Sequence, residues 1–234
     1  MNFINQIEGG KISIGIACAF GIDARTYPPT FNEELSQWLT YRKQPLSEKD
    51  ESIRKAARDM LRNGNYKPTG RGKPANEYLI RAVQGEKFPR INAPVDINNL
   101  ISIKYLLPIS LWDLELAGTD DFLFRLGQPG ETYVFNSGSQ EIGLQDLPVG
   151  CACFQNYPTG LPIVNPVKDS LKTKTLPETR HVAAAIYAPS QMINNSELFK
   201  ISSEFATLLG ACGNTAHHTS GIVSPGGQLY LPRP

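Results

Sequence analysis

Residues 11–20, KISIGIACAF, are almost continuously apolar and are bounded by Gly10 and Gly21. A half-buried strand alternates apolar and polar residues, whereas a strand covered on both faces does not. The segment therefore predicts a strand at the centre of a sheet. At 234 residues the chain buries roughly 70–75% of the surface exposed on unfolding, enough for one large core or two small ones. With 41% hydrophobic and 19% charged residues, the composition excludes a disordered tail. No repeat, low-complexity tract or long linker divides the sequence, so residues 1–234 are expected to form a single domain.

Helices follow from spacing and caps. Ser47 to Asp50 form a capping-box-like start, after which Ile53, Ala56, Ala57, Met60 and Leu61 recur at helical spacing up to Gly64. Pro74 opens a second helix that ends at Gly85. Residues 96–107 place Ile97, Leu100, Ile101 and Lys104 on one side and stop before Pro108, with Asp96 near the start. Turn signals then crowd in, and short strands are expected at 122–126, 132–135, 151–154 and 181–187. Helical spacing returns at 196–209 and ends at Gly210. The last part, 214–234, reads as loop with one short strand at 228–231. The fold class expected is α/β in the broad sense, an α+β mixture.

No stretch approaches the ~20 consecutive apolar residues of a bilayer crossing, and the first residues carry neither a basic leader nor a small-residue cleavage site. A cytoplasmic location without membrane partners is the expectation. Four cysteines, Cys18, Cys151, Cys153 and Cys212, are too few for a disulfide scaffold and read as reduced core thiols. Cys151 and Cys153 would share one face of a strand. His181, His217 and His218 show no regular spacing with them, so neither a metal nor a cofactor is expected. The two adjacent histidines read as a surface loop.

The charges are uneven. Between Arg42 and Ile91 stand 13 basic and 6 acidic residues. The rest of the chain carries 10 basic and 16 acidic residues. Such a segment steers polyanions or simply solvates two helical faces. Within it, Lys67, Arg71 and Lys73 lie in a Gly/Pro-rich loop before a helix N-terminus, where free N–H groups favour phosphate. Surface solubility is the more common explanation of such a loop.

Gly-rich dinucleotide, Walker, nucleophile-elbow and zinc-protease signatures are absent. A polar cluster remains in an apolar setting: Asp96, Asn98 and Asn99, then Ser110 and Asp113 across the Pro108 turn. An Asn pair near a helix start binds a ligand's polar groups or caps the helix. Phe122, Phe124, Tyr133 and Phe135 sit on strands, where they stack bases or, more commonly, fill core.

Val95-Asp96-Ile97-Asn98-Asn99-Leu100, followed by Leu107-Pro108 and Trp112-Asp113, resembles the editing domain of the bacterial phenylalanyl-tRNA synthetase β chain and the stand-alone proteins built around it. The similarity takes in the helix at Glu48, the 77–81 helix and the Thr175, Thr179, Val182 segment. It implies a three-layer α/β fold with a sandwich of unusual topology and flanking helices, and a pocket that in the synthetase hydrolyses the ester between tRNA and misattached tyrosine. Such editing exists because a site selecting an amino acid rejects a close isostere weakly.

Carried over by position, the resemblance makes Asn98, Asn99, Pro108, Ser110 and Ala185 pocket residues. Ser110 stands where the synthetase has its pocket histidine and Ala185 near its tyrosine-contacting glutamate. Both changes remove polar function, and a serine cannot act as general base in histidine's place. The expected partner is tRNA or aminoacyl-tRNA rather than DNA, with Lys67, Arg71 and Lys73 meeting phosphates and hydrolysis in trans as the reaction. No ATP-binding motif supports tRNA charging. The rival reading is a non-catalytic binder of a free amino acid. A third, Ser110 as nucleophile, requires a histidine within ~3 Å of its hydroxyl. If the basic segment surrounds the pocket mouth, RNA binding gains; if its charges are paired with acids, the small ligand gains.

Overall fold

The computed structural model describes residues 1–213 and 216–234. Among them are six helices and eleven strands in separate sheets, so the fold is the α+β mixture that the sequence predicts. The apolar run forms strand β2 (Ile12–Phe20), in which every residue is buried. Antiparallel neighbours flank it, β9 (His181–Pro189) on one side and β10 (His217–Val223) on the other, and β3 (Ile109–Asp113) adds to β9 as an edge. A second sheet has the order β11 (Gln228–Tyr230), β1 (Asn2–Asn5), β4 (Asp121–Leu126), β7 (Pro148–Phe154), β8 (Tyr157–Val164). A small hairpin pairs β5 (Thr132–Val134) with β6 (Glu141–Gly143).

The two larger sheets meet through aromatic contacts. Trp112 of β3 packs on Phe122 of β4 at 5.3 Å between ring centres, and Tyr187 of β9 meets Phe124 edge-on at 6.3 Å. The opposite face of the four-stranded sheet carries small residues. Gly15 lies under helix α6 (Asn195–Gly210), where a Cβ would stand 2.3 Å from the Ser202 Oγ. The buried hydrophobic residues, from Met1 to Leu231, make one connected cluster.

Helix α1 (Phe31–Arg42) escapes sequence reasoning because it buries only Phe31, Leu35 and Arg42. Helices α2 (Glu48–Asp59) and α3 (Ala75–Gln84) lie where caps and spacing predict, with the Ser47 hydroxyl accepting from the Asp50 N–H. Helix α4 (Ala93–Tyr105) begins three residues before the expected start. Its cap is Asn92, whose Oδ1 accepts from the Val95 N–H at 3.1 Å. Asp96 is instead a buried anchor for the Ile91 N–H, the Arg90 guanidinium and the Tyr27 hydroxyl. Asn98 and Asn99 therefore lie inside the helix, which overturns their reading as caps.

Three strands replace expected turns or loop. β3 starts directly after Pro108 and is wholly buried. Gly160 of the proline-bearing β8 stands at φ +70°, and β8 runs along the sheet edge, a place where prolines are tolerated in a strand. β10 carries His217 and His218 on a strand rather than a loop; both remain exposed, and this polar start hides the strand from a hydrophobic pattern. The short α5 (Leu114–Ala117) follows β3, capped by the Asp113 carboxylate, which accepts from the Glu115 and Leu116 N–H groups.

Candidate functional site

Helical spacing puts Val95, Asn98 and Asn99 on one face of α4. That face looks across to Ala75 and Leu79 of α3 and to Ile109 and Leu111 on β3. Between them lies a cavity of about 330 Å³, closed on the fourth side by the segment 165–175. Its walls are mostly aliphatic, and its polar groups are few and convergent, as in ligand sites generally.

Asn98 and Asn99 are each 8% exposed. The Asn98 Nδ2 donates to the Asn99 Oδ1 at 3.4 Å, while the Asn98 Oδ1 is buried without a partner. A buried amide oxygen left unpaired costs about 1–3 kcal/mol, so this atom is a standing acceptor at the cavity wall.

The fourth wall is built by Asn165. Its Oδ1 accepts from the Val167 and Lys168 N–H groups at 2.7 and 2.8 Å, an Asx turn that a following proline favours. Its Nδ2 donates to the Tyr133 hydroxyl, which in turn donates to the Lys168 carbonyl at 2.7 Å. The turn delivers the Asp169 carboxylate to β3, where Oδ2 accepts from the Leu111 N–H at 3.1 Å and Oδ1 from the Asn165 N–H at 3.3 Å. Burial raises the Asp169 carboxyl to about 6, against the pull of Ser110, those two N–H groups and the Lys174 charge. Thr175, at the cavity rim, accepts from Asn92. Asn165, Lys168 and Asp169 are absent from the sequence-level candidates. The Asn-Pro pair ahead of Lys168-Asp169 was the signal for this turn.

Ser110 lies behind the wall. It is fully buried on the inter-sheet face of β3, and its hydroxyl lies 3.0 Å from the Asn165 carbonyl and 3.3 Å from the Tyr187 hydroxyl. No histidine bonds to it among the described residues, which removes the Ser-His nucleophile reading: His181 accepts from the Gly21 N–H, and His218 stands beside Thr207. Ala185, opposite Ser110 across β9, is equally buried. Pro108 is buried at the start of β3, its carbonyl accepting from the Tyr187 N–H. Of the five residues assigned to a pocket, Asn98 and Asn99 line the cavity and the other three lie in the layers beneath it.

The basic segment divides in two. Much of it is paired: Arg42 with Asp50, Lys43 with Glu86, Arg54 with Glu51 and Glu77, Arg58 with Glu77, and Arg62 with Asp59, while Lys49, Lys55 and Arg81 on the same helices have no ion pair among the described residues. Arg42 is itself buried, donating to the Ile103 and Lys104 carbonyls. Arg90 pairs with Asp96. Among the described residues, Lys67, Arg71 and Lys73 have no ion pair. Arg71 borders the outer side of the cavity together with Lys168; Lys67 is exposed and Lys73 half-buried on the same loop.

Of the strand aromatics, Phe122 and Phe124 are core, Tyr133 is buried under the Asn165 turn, and Phe135 is half-buried with the Lys168 ammonium 4.0 Å from its ring centre. All four cysteines are free. Among the described residues no three His, Cys, Asp or Glu side chains converge on one point, and no helix is long and apolar enough to cross a membrane.

No protein-family model matches the chain, and no curated protein matches it. Among solved structures, it is similar to an N-terminal fragment of the phenylalanyl-tRNA synthetase β-subunit from Pyrococcus horikoshii, with a TM-score of 0.39 and 9% identity. The match covers 56% of this chain and 41% of the fragment.

Proposed function

We propose that the chain binds the aminoacyl end of a charged tRNA, with the amino-acid moiety in the cavity between α4 and β3, and hydrolyses its ester in trans. The observation that carries this reading is the unpaired Asn98 Oδ1 in an aliphatic cavity with the Asp169 carboxylate on another wall. An apolar side chain suits the walls. An α-ammonium suits the two acceptors, and the amide groups of Asn98 and Asn99 suit the polar ester. The sequence motif around Asn98 and Asn99, with its resemblance to the synthetase editing domain, supports the same assignment.

An aminoacyl ester is already activated, so its cleavage needs a held water and donors for the developing oxyanion rather than a strong nucleophile. The RNA itself offers a neighbouring hydroxyl. In this reading Asn99 donates to the ester oxygen and Asp169 holds the ammonium. Pro108, Ser110 and Ala185 support the cavity from beneath.

The free amino acid is the second reading, and the paired arginines of α1 and α2 favour it, because ion pairing removes much of the positive charge of the basic segment. Deacylation of a panel of correctly and wrongly charged tRNAs, run beside equilibrium binding of free amino acids, separates the two. Ester loss above the spontaneous rate is expected, reduced about tenfold or more in Asn99→Ala, in line with the loss of one hydrogen bond to a polar reacting group. Absence of ester loss across the panel, with saturable binding of a free amino acid, would establish the second reading instead.

A further inference from the structure

We propose that Arg71 and Lys168 form a two-pronged phosphate site at the mouth of the α4–β3 cavity, holding a phosphate of the ligand whose acyl end lies inside. This placement rests on the reading of the inner cavity given above. Three hollows run into one another. The inner one continues outward into a space of about 470 Å³ that still touches Asn98 and Asn99 but is rimmed by Arg71 and Lys168. Beyond those two side chains a third hollow, of about 610 Å³, opens between the 66–72 loop and the β5–β6 hairpin. Arg71 and Lys168 are the side chains common to the second and third.

Two cations at one doorway repel each other unless an anion lies between them. Neither has an acidic partner among the described residues, whereas Glu51, Asp59 and Glu77 of the α2–α3 region each pair with an arginine. Lys168 is fixed at both ends, its backbone N–H by the Asn165 turn and its ammonium over the Phe135 ring. Burial, with the Arg71 charge adding to it, lowers the Lys168 ammonium below the ordinary lysine range, as expected of a cation waiting for a counter-charge. Arg71 adds the planar fork that grips phosphate with two parallel N–H groups.

The third hollow differs from the first. It is lined by Tyr66, Phe135, Gln140 and Glu141, so it offers ring surface and hydrogen-bonding side chains instead of aliphatic wall. A nucleobase or ribose fits that chemistry, and Glu141 in its lining disfavours a second phosphate there. The ligand is thus an ester of a phosphorylated sugar: acyl group in the inner cavity, the esterified ribose in the second hollow, phosphate between Arg71 and Lys168, and the next nucleoside outside. The same phosphate chemistry occurs in a free nucleotide and in the end of an RNA strand.

Isothermal titration of the whole protein with inorganic phosphate, adenosine monophosphate and a short unacylated RNA oligonucleotide ending in adenosine distinguishes these sources. The oligonucleotide is expected to bind, about tenfold more weakly to Arg71→Gln and to Lys168→Gln, with the slope of affinity against salt shallower by about one phosphate contact in each. Lys168→Arg should restore most of the affinity, and Lys49→Gln, which removes an exposed cation on α2 that lines none of the three hollows, should leave it unchanged. Arg71 is exposed, so its substitution leaves the fold intact. Wild-type affinity in both glutamine variants would overturn the phosphate site. Equal loss in Lys49→Gln would make the effect one of overall charge and overturn a site at the doorway. Binding of phosphate and the mononucleotide but not of the oligonucleotide would uphold the site while ending the charged-tRNA reading.

Discussion

The Asp169 carboxylate accepts N–H groups from Leu111 and Asn165 on one side and borders the cavity on the other. Its carboxyl sits near 6 because burial disfavours the anion. Between about pH 4 and 6 the folded protein therefore holds a proton that the unfolded chain has released. The contribution of this group to stability falls as pH rises through that window. Asp169→Asn should consequently gain stability relative to the wild type on going from pH 4 to pH 7, by about 1–3 kcal/mol. Urea unfolding of both proteins at several pH values measures the difference, and a difference independent of pH would mean that the carboxylate is not ionising against its surroundings. Glu51, held low by Arg54, acts with the opposite sign in both proteins and cancels in the comparison. At this scale the sequence exposed Asn98 and Asn99, since an amide pair inside an apolar helix is conspicuous. It concealed Asp169, whose importance depends on a turn that brings it to a strand distant in the chain.

Helix α6 lies on β2 only because Gly15 has no side chain. A Cβ there would fall 2.3 Å from the Ser202 Oγ and 2.9 Å from the Leu198 Cδ1. Gly15→Val is expected to destabilise the protein by about 1–3 kcal/mol or more through overpacking, and Gly15→Val combined with Ser202→Ala should recover part of that, as thermal unfolding of the three variants would show. Ser47→Ala tests an element of a different kind, an exposed cap, where about 1 kcal/mol is the expected loss. Elements that carry their own punctuation were legible in the sequence: β2 between glycines, α2 behind Ser47, α3 behind Pro74. The missed elements lack it. β3 follows a proline that reads as a turn, β8 contains prolines that an edge strand tolerates, and α1 offers little apolar stripe because much of it faces solvent.

The buried residues from Met1 to Leu231 form one cluster, and strands distant in sequence lie side by side, as β1 does with β4 and with β11. Such interleaving predicts one cooperative transition, with coincident loss of far-ultraviolet and near-ultraviolet circular dichroism; two separated transitions would argue for independent units. Charge counting along the sequence located the basic region but could not reveal that its helical arginines pair with Asp50, Glu51, Asp59 and Glu77. The Arg42–Asp50, Arg54–Glu77 and Arg58–Glu77 pairs depend on how α1, α2 and α3 come together, and among the described residues Arg71 and Lys168 stand beside the cavity without an acidic partner. One further consequence concerns molecules in a crowd. β3 ends its sheet, and an outer strand with an idle N–H invites another chain to add itself. The Leu111 N–H is occupied by the Asp169 side chain, so the residue that borders the cavity also acts as a guard against aggregation, and its loss would be felt first as stickiness at high concentration.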